Sequence, residues 1–325
     1  MGKDSNLRVA VGEPSMSKDS LAWLAILFTT VIWASSLILA KIVFAEDMTP
    51  IVFVALRYTL ACPVLALPAF FARRRANKSG GLNLNWRILL IAGLCGPFIS
   101  QTLQYLGLNI TSAGDAILLL NISPVFAVIL ALPILGEQIT KEKGVGLFLA
   151  TAGAMLIVFN PATMSPEISA TRVLGDLVVV ISTFFFAVNG IVGKIAVETM
   201  DSITVTFYST LFAIPFIWLS AAFFEDVSIV LRLSPLSWIV VLWVGIVNTA
   251  LAFILYYESM NYIEASKVQI ALNLIAVWGV IMSFLVLHED LLPLQIFGGI
   301  VTIVGVIIAQ WARKSRPKEP VPEEI

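Results

Sequence analysis

Charged residues are scarce in this chain, and their scarcity excludes most soluble folds. Of the 325 residues, 13% are charged and 59% are hydrophobic, whereas a soluble globular chain carries about a quarter charged residues. The single histidine, His288, excludes a histidine-rich metal centre. The two cysteines, Cys62 and Cys95, both lie inside apolar runs. We therefore interpret them as small buried residues rather than as a disulfide or a metal-binding pair.

Motifs for nucleotide-driven or metal-dependent chemistry are also missing from the sequence. No G-x-x-x-x-G-K-[ST] stretch occurs, which argues against an ATP-driven pump. No cluster of His, Asp and Glu has a metal-ligand spacing, and long apolar runs leave no room for a soluble catalytic domain, which argues against a membrane enzyme. We therefore expect no catalytic residue, no metal, no cofactor and no nucleic acid partner.

Long apolar runs recur along the whole chain and predict transmembrane helices. Several runs approach or exceed the roughly 20 residues that an α-helix needs to cross a bilayer. Because the lipid core offers no water, such segments must satisfy their own backbone hydrogen bonds, which favours helices. The sequence predicts an all-α integral membrane protein with ten transmembrane helices, at 21–44, 50–71, 86–108, 114–135, 141–159, 174–196, 202–224, 236–257, 265–287 and 292–312.

Lysine and arginine are unevenly distributed between the two sides of the predicted spans. If the N-terminus is cytoplasmic, nearly all of these residues near span ends lie inside, and the outer loops hold only Arg172 and Arg232. An excess of Lys and Arg marks cytoplasmic loops. We therefore predict that the protein is multi-pass with both termini in the cytoplasm, and we place it in the inner membrane of a prokaryotic cell.

The two halves of the chain carry the same sequence pattern. The phrase LGEQIT begins at Leu135 and the phrase LHEDLL begins at Leu287, which is 152 residues later. Rare residue types match at this offset. Matches of leucine would carry little information, because they are expected by chance in such an apolar sequence. Examples are Trp86 with Trp238, Tyr105 with Tyr257, Asn121 with Asn273 and Glu137 with Glu289.

These matches divide the chain into two copies of a five-helix unit. Because five is odd, the second copy enters the membrane from the opposite side. Such inverted repeats are typical of alternating access at a site between the halves. The predicted organisation is a cytoplasmic N-terminal tail at 1–20, a first repeat at 21–159, an external linker at 160–173, a second repeat at 174–312 and a cytoplasmic C-terminal tail at 313–325.

Three phrases of the sequence resemble the EamA family of the drug/metabolite transporter superfamily. LGEQITKEKGVGLFLATAGAMLI matches the family's recurring Leu-Gly-Glu turn and Gly-rich helix, and LHEDLLPLQIFGGIVTIVGVIIA matches it with His288 in place of the glycine. PIVFVALRYTL matches a second phrase, with Pro50 and Arg57, but the second repeat has Ile203 and Thr210 there. The resemblance implies ten helices in two five-helix repeats, and a transporter of amino acids, other metabolites or drugs.

Polar and aromatic side chains inside the predicted spans form the candidate binding site. An amide without a partner is costly in hydrocarbon, so these groups are expected to face protein or a wet cavity. Aromatic rings beside amides suit an amphipathic organic solute, although the same residues could instead join helices through hydrogen bonds. The predicted substrate-binding residues are Trp33, Ser36, Gln101, Gln104, Tyr105, Asn121, Asn189, Tyr256, Tyr257 and Asn273.

Charged residues near the span ends receive a different interpretation. Glu137 and Glu289 are interpreted as turn and capping residues, because charge is tolerated near the membrane interface. Arg57 is interpreted as a snorkelling or helix-pairing residue, and Lys194 as a snorkelling residue. Glu258, at the inner end of the eighth span, is the candidate for proton coupling.

The leading functional hypothesis is a secondary transporter that exports small metabolites such as amino acids, with a small-molecule substrate and the lipid bilayer as partners. The alternative is a nucleotide-sugar carrier, or another organic-solute carrier or exchanger of the same superfamily. No extended basic signature for bound phosphates is found, which disfavours the nucleotide-sugar carrier. A channel, the remaining alternative, would give currents rather than saturable flux.

Overall fold

The described part of the chain is built from helices, and the predicted all-α class is confirmed. The computed structural model describes residues 17–44, 46–78, 84–111, 119–158, 170–287 and 293–311, and no strand occurs within these ranges. The linker from 159 to 169, Glu289 and most of both tails lie outside them. The helices are α1 (Lys18–Phe44), α2 (Pro50–Lys78), α3 (Trp86–Ile110), α4 (Ser123–Leu135), α5 (Lys141–Val158), α6 (Ala170–Val197), α7 (Ser202–Phe224), α8 (Pro235–Ser259), α9 in two pieces (Ala265–Ala271 and Leu274–Leu287) and α10 (Pro293–Trp311).

Among the described residues, seven helices are long and apolar enough to cross a membrane. They are α1, α2, α3, α6, α7, α8 and α10. Of the others, α4 has 13 residues, α5 begins with Lys141, Glu142 and Lys143, and α9 is interrupted. A single span needs about 20 mostly apolar residues, so length and composition alone do not qualify these three helices. The ten predicted spans stay a prediction.

Helices α3 and α8 each contain one wider turn of π-helix. The π-helical segments are Leu94–Ser100 and Val244–Leu251. Pro97 lies within the first segment and has no N–H to donate to the helix. Thr249 lies in the second segment, and its Oγ1 donates to the carbonyl of Val244 at 2.9 Å. A π-turn releases backbone groups and re-aims side chains, and such turns are frequent at functional sites.

Turns interrupt the fourth and ninth predicted spans at the two asparagines that the sequence comparison matched. Asn121 lies in the turn before α4, and Pro124 in the first turn of α4 cannot donate a backbone hydrogen bond. Asn273 lies in the turn between the two pieces of α9, where its Nδ2 donates to the carbonyl of Ile270 at 3.0 Å. A side-chain bond of this kind competes with the helical ladder.

Small residues allow α5 and α10 to pack backbone against backbone. A Cβ atom on Gly305 would lie 2.3 Å from the backbone nitrogen of Ala150, and one on Gly153 would lie 2.5 Å from that of Thr302. In membranes, close contact between backbones replaces the hydrophobic drive that joins helices in water. The last helix of the first half, α5, is therefore packed against the last helix of the second half, α10.

Side-chain carboxylates join different helices at both ends of the bundle. We call the end at which α1 begins the proximal end and the opposite end the distal end. At the distal end, Glu225 accepts from the backbone N–H groups of Ile51 at 2.9 Å and Val52 at 2.8 Å. At the proximal end, Glu137 accepts from the backbone N–H of Ala265 at 2.9 Å. Each carboxylate thus satisfies N–H groups in the first turn of a helix, which have no partner within that helix.

Candidate functional site

Polar and aromatic side chains gather in two clusters inside the bundle. The arginine cluster contains Arg57, Gln101, Gln104, Tyr105 and Thr249. The aromatic cluster contains Trp33, Phe186, Asn189, Phe253, Tyr256, Tyr257 and Gln269. Seven of these twelve residues lie on α3 or α8, so the two helices that contain a π-helical turn supply most of the candidate site.

Arg57 is the centre of the arginine cluster. Its Nη1 donates to Gln101 Oε1 and to Tyr105 Oη, each at 3.0 Å, and its Nε donates to Thr249 Oγ1 at 2.9 Å. Gln101 Nε2 in turn donates to Gln104 Oε1 at 3.1 Å. The side chain of Arg57 is 2% exposed, so of the two interpretations snorkelling is wrong and helix pairing agrees with the structure. Arg57 instead joins α2 to α3 and α8.

The π-turn of α8 positions Thr249 to accept from this guanidinium. Thr249 Oγ1 donates its own hydrogen to the carbonyl of Val244 and can therefore only accept from Arg57. In a regular α-helix that carbonyl would be bonded to the backbone N–H of residue 248. The wider turn thus fixes the orientation of one hydroxyl against the Arg57 guanidinium.

The aromatic cluster is assembled around the indole of Trp33. The centroid of this ring lies 5.7 Å from that of Phe186, 5.1 Å from that of Phe253 and 5.3 Å from that of Tyr256. The Tyr256 and Tyr257 rings lie 5.1 Å apart. Tilted and edge-on pairs at these separations add favourable energy beyond the apolar area that they bury.

Two phenols and two amides give the aromatic cluster its polar groups. Tyr257 Oη donates to Asn189 Oδ1 at 3.1 Å, and Gln269 Nε2 donates to Tyr256 Oη at 2.7 Å. Among the described residues, Asn189 Nδ2 and Gln269 Oε1 are buried without a hydrogen-bond partner. Gly193 leaves room for the Tyr257 ring, because a Cβ atom on Gly193 would lie 2.1 Å from that ring. The cluster therefore combines ring faces with one unused donor and one unused acceptor.

Adjacent residues of α8 connect the two clusters. Trp33 Nε1 donates to the carbonyl of Asn248 at 3.0 Å, and the next residue, Thr249, accepts from Arg57. The hydroxyl of Tyr58 is buried without a hydrogen-bond partner among the described residues, and the centroid of its ring lies 5.3 Å from the guanidinium carbon of Arg57. The two clusters are therefore joined through consecutive residues of α8.

The remaining predicted residues lie outside the two clusters. Ser36 Oγ donates to the carbonyl of Trp33 in its own helix at 2.8 Å. Asn121 and Asn273 are buried at the helix interruptions, and Asn273 Oδ1 has no partner among the described residues. Glu258 Oε2 accepts from Ser202 Oγ at 2.7 Å at the first residue of α7.

Two charged residues at the proximal end hold helix termini. Lys194 Nζ donates to the carbonyl of Met260, just after α8, at 2.5 Å. Glu137 accepts from the first residue of α9 and also accepts from Ser266 Oγ. Glu137 therefore caps a helix in the other half of the chain rather than its own turn.

Arg57, Tyr58, Thr249 and Gln269 belong to this region and were not among the predicted site residues. Arg57 carried a signal, because a cation two turns into an apolar span has few stable environments. Thr249 carried one as well, because it corresponds to Pro97 at the offset of 152. Proline cannot donate a helical hydrogen bond and therefore indicates an irregular turn at this position of the repeat. Gln269 carried the same signal as the predicted amides, because it is an amide inside the predicted span 265–287.

The chain is similar to known proteins over most of its length. The model of the EamA-like transporter family matches residues 20–159 and 173–311. An "Uncharacterized transporter" of Archaeoglobus fulgidus is 30% identical over 294 residues, which cover 89% of this chain and 97% of that protein. "Uncharacterized transporter YyaM" of Bacillus subtilis is 26% identical, over 78% of this chain and 82% of that protein. A solved protein crystal structure has the same fold, with a TM-score of 0.74 at 16% identity over 89% of this chain and 96% of that chain.

Proposed function

Since this chain belongs to the EamA-like transporter family and is a membrane transporter, we propose that it is a secondary transporter that exports small organic metabolites such as amino acids. The observation that carries this proposal is the pair of linked clusters inside the bundle. One cluster offers a guanidinium and amides, and the other offers ring faces and phenols. Such a combination suits a solute with one charged end and one apolar end.

We further propose ten spans in two inverted repeats, 21–159 and 174–312, with both termini in the cytoplasm of a prokaryotic cell. The two matches of the family model support two repeats. Further support comes from the wide turns of α3 and α8, since Leu94–Ser100 shifted by 152 residues overlaps Val244–Leu251. The fourth and ninth predicted spans are likewise interrupted at matching asparagines. Discontinuous helices at corresponding positions are typical of transporter sites near the midplane of the bilayer.

Counterflow in proteoliposomes tests the proposed function. Vesicles that contain the purified protein are loaded with a pool of unlabelled amino acids, and the uptake of each labelled amino acid is measured. A secondary transporter gives saturable counterflow for the solutes that it carries, and vesicles without protein give none. Currents that rise linearly with solute concentration would instead indicate a channel, and an absence of flux for every solute of the pool would contradict the proposed substrate class.

A further inference from the structure

Arg57 is a buried cation whose hydrogen-bond partners are all neutral. A guanidinium remains charged in proteins, and a buried charge without a counter-charge is strongly disfavoured. Of the residues that the structure describes, no carboxylate lies within 4.0 Å of it. Lys143, which is also buried, contacts Glu137 at 3.4 Å and Glu264 at 3.2 Å. Lys267, the third buried cation among the described residues, contacts Glu264 at 3.5 Å. The protein thus pairs two of these buried cations with carboxylates and leaves Arg57 with amides and hydroxyls.

We propose that Arg57 anchors the carboxylate of the transported solute, so that the substrates are organic anions or zwitterions that carry one carboxylate. This inference rests on the proposed function and names the substrate class of the same site. Arginine presents its N–H groups as a planar fork that matches a carboxylate, and such charge-assisted bonds are the strong ones. Gln101, Tyr105 and Thr249 hold the fork by Nη1 and Nε. Its Nη2 makes no hydrogen bond within the described part of the chain, so its N–H groups can donate to a solute.

Neighbouring groups place the rest of such a solute. The Tyr58 ring lies 5.3 Å from the guanidinium carbon of Arg57, and its hydroxyl is a second donor without a partner among the described residues. Trp33 donates to the carbonyl of Asn248, and the next residue, Thr249, accepts from Arg57. A carboxylate on Arg57 and Tyr58 would therefore direct an apolar or aromatic body towards the Trp33 and Tyr256 rings. Inorganic chloride carries the same negative charge but has no apolar part. The experiment must therefore distinguish an organic carboxylate from an inorganic anion.

Binding to the purified protein, measured by thermal shift and titration calorimetry, tests the anchor. The probes are 3-phenylpropionate, L-phenylalanine, phenethylamine and sodium chloride, at equal concentrations in a sulfate buffer. We expect 3-phenylpropionate and L-phenylalanine to stabilise the protein, and phenethylamine and chloride to have no effect. Binding of phenethylamine as tight as that of 3-phenylpropionate, or equal protection by chloride, would overturn the proposal. An absence of binding by both carboxylates would overturn it as well.

Three variants assign the binding to Arg57. Arg57→Gln should weaken the binding of 3-phenylpropionate about 10- to 100-fold, because a charge-assisted hydrogen bond is lost. Arg73→Gln is the matched control, since it removes an exposed guanidinium from the same helix, and it should leave the affinity unchanged. Tyr58→Phe removes a hydroxyl without a described partner, so this variant should fold even if Arg57→Gln does not, and it should weaken binding about 2- to 10-fold.

The failure of the anchor can be told apart from the failure of the proposed function. If Arg57→Gln or Tyr58→Phe folds and binds 3-phenylpropionate as tightly as the natural protein, the anchor is wrong, while counterflow of other solutes still supports a transporter. If carboxylates bind through Arg57 but no solute shows counterflow, the transport proposal fails, while the anion site stands.

Discussion

Several buried polar side chains among the described residues combine a protein partner with an unused hydrogen-bonding atom. Tyr257 and Asn189 are bonded to each other, whereas the Nδ2 of Asn189 is buried without a partner among the described residues. A buried polar atom without a partner costs about 1–3 kcal/mol. Such atoms are therefore the places where a solute or water gains most by binding.

Alanine at Gln104, Tyr105, Tyr256 or Tyr257 is predicted to weaken apparent substrate affinity more than it lowers the yield of folded protein. Loss of one hydrogen bond to substrate costs about 0.5–1.5 kcal/mol, which is up to about tenfold in affinity. Counterflow at varied substrate concentration measures the affinity, with Asn109→Ala, at an exposed position of α3, as the control. If all four variants fold poorly but keep the affinity per folded molecule, these residues serve helix packing.

Glu258 is the residue proposed for proton coupling. Its carboxylate accepts from Ser202 at the start of α7, where the helix dipole favours a negative charge. A proton on Glu258 would weaken this contact between α7 and α8, which would link protonation to the closure of the proximal end. Glu258→Gln is therefore predicted to abolish flux driven by a pH gradient and to leave counterflow intact. If the pH gradient still drives flux at the normal rate in this variant, Glu258 does not carry the coupled proton and is only an interfacial residue.

Glu46, in the turn between α1 and α2, is predicted to make stability at the distal end depend on pH. Hydrogen bonds from Ser234 and Ser237 lower the pKa of this carboxyl below its ordinary value of 4.5. A lowered pKa in the folded state stabilises the protein above 4.5, and this contribution is lost as the pH falls through the lowered value. Glu46→Gln should therefore reduce the melting temperature at pH 7, and the difference from the natural protein should shrink below pH 4.5. A constant difference across this range would contradict the assignment.

At the scale of elements, hydropathy predicted the helices but not their irregular turns. Apolar runs of about 20 residues require helices in lipid, and the described helices follow those runs closely. The interruption before α4 could have been anticipated from Pro124. The one at Asn273 could not, because the surrounding ALNLIAVW is apolar and contains no proline. It depends on a side-chain bond to a backbone carbonyl, which sequence periodicity does not reveal.

The same limit applies to the candidate site. Equivalent positions in the two repeats indicated Tyr105 and Tyr257 together, but the structure gives them different neighbours. Tyr105 accepts from Arg57, and Tyr257 donates to Asn189. A repeat predicts which positions of the two halves correspond. The hydrogen-bond partner of each tyrosine depends on the side chains of the neighbouring helix, and those side chains differ between the two halves.

The pairing of α5 with α10 is predicted to fail when a methyl group is added at its closest point. Gly305→Ala would place a Cβ 2.3 Å from the backbone nitrogen of Ala150, and overpacking of this kind costs about 1–3 kcal/mol. Gly299→Ala is the matched control on the same helix, because its Cβ would lie 4.0 Å from the nearest atom, in Val277. Thermal unfolding in detergent should show a lower melting temperature for Gly305→Ala alone. Equal melting temperatures for the two variants would show that the helices can separate without cost.

On the scale of the whole molecule, alternating access needs contacts that close each end of the bundle and can also open. The described contacts include such candidates at both ends. Glu225 holds the start of α2 at the distal end, and Glu137 holds the start of α9 at the proximal end. Each contact joins the first half of the chain to the second half. In the proposed mechanism, the two contacts would break in turn while the clusters between them retain the solute.

The proposed orientation predicts which end of the bundle faces the cytoplasm. Lys and Arg are concentrated near span ends on the proximal side, and such residues mark cytoplasmic loops. Cys62 and Cys95 are first replaced by alanine, which removes the two native thiols. A cysteine at Asn261, exposed at the proximal end, should then react with an impermeant maleimide only after the cells are opened. A cysteine at Arg232, exposed at the distal end, should react in intact cells. The reverse pattern would invert the orientation, and labelling of both sites in intact cells would contradict the proposed topology, since the two residues flank the single span α8.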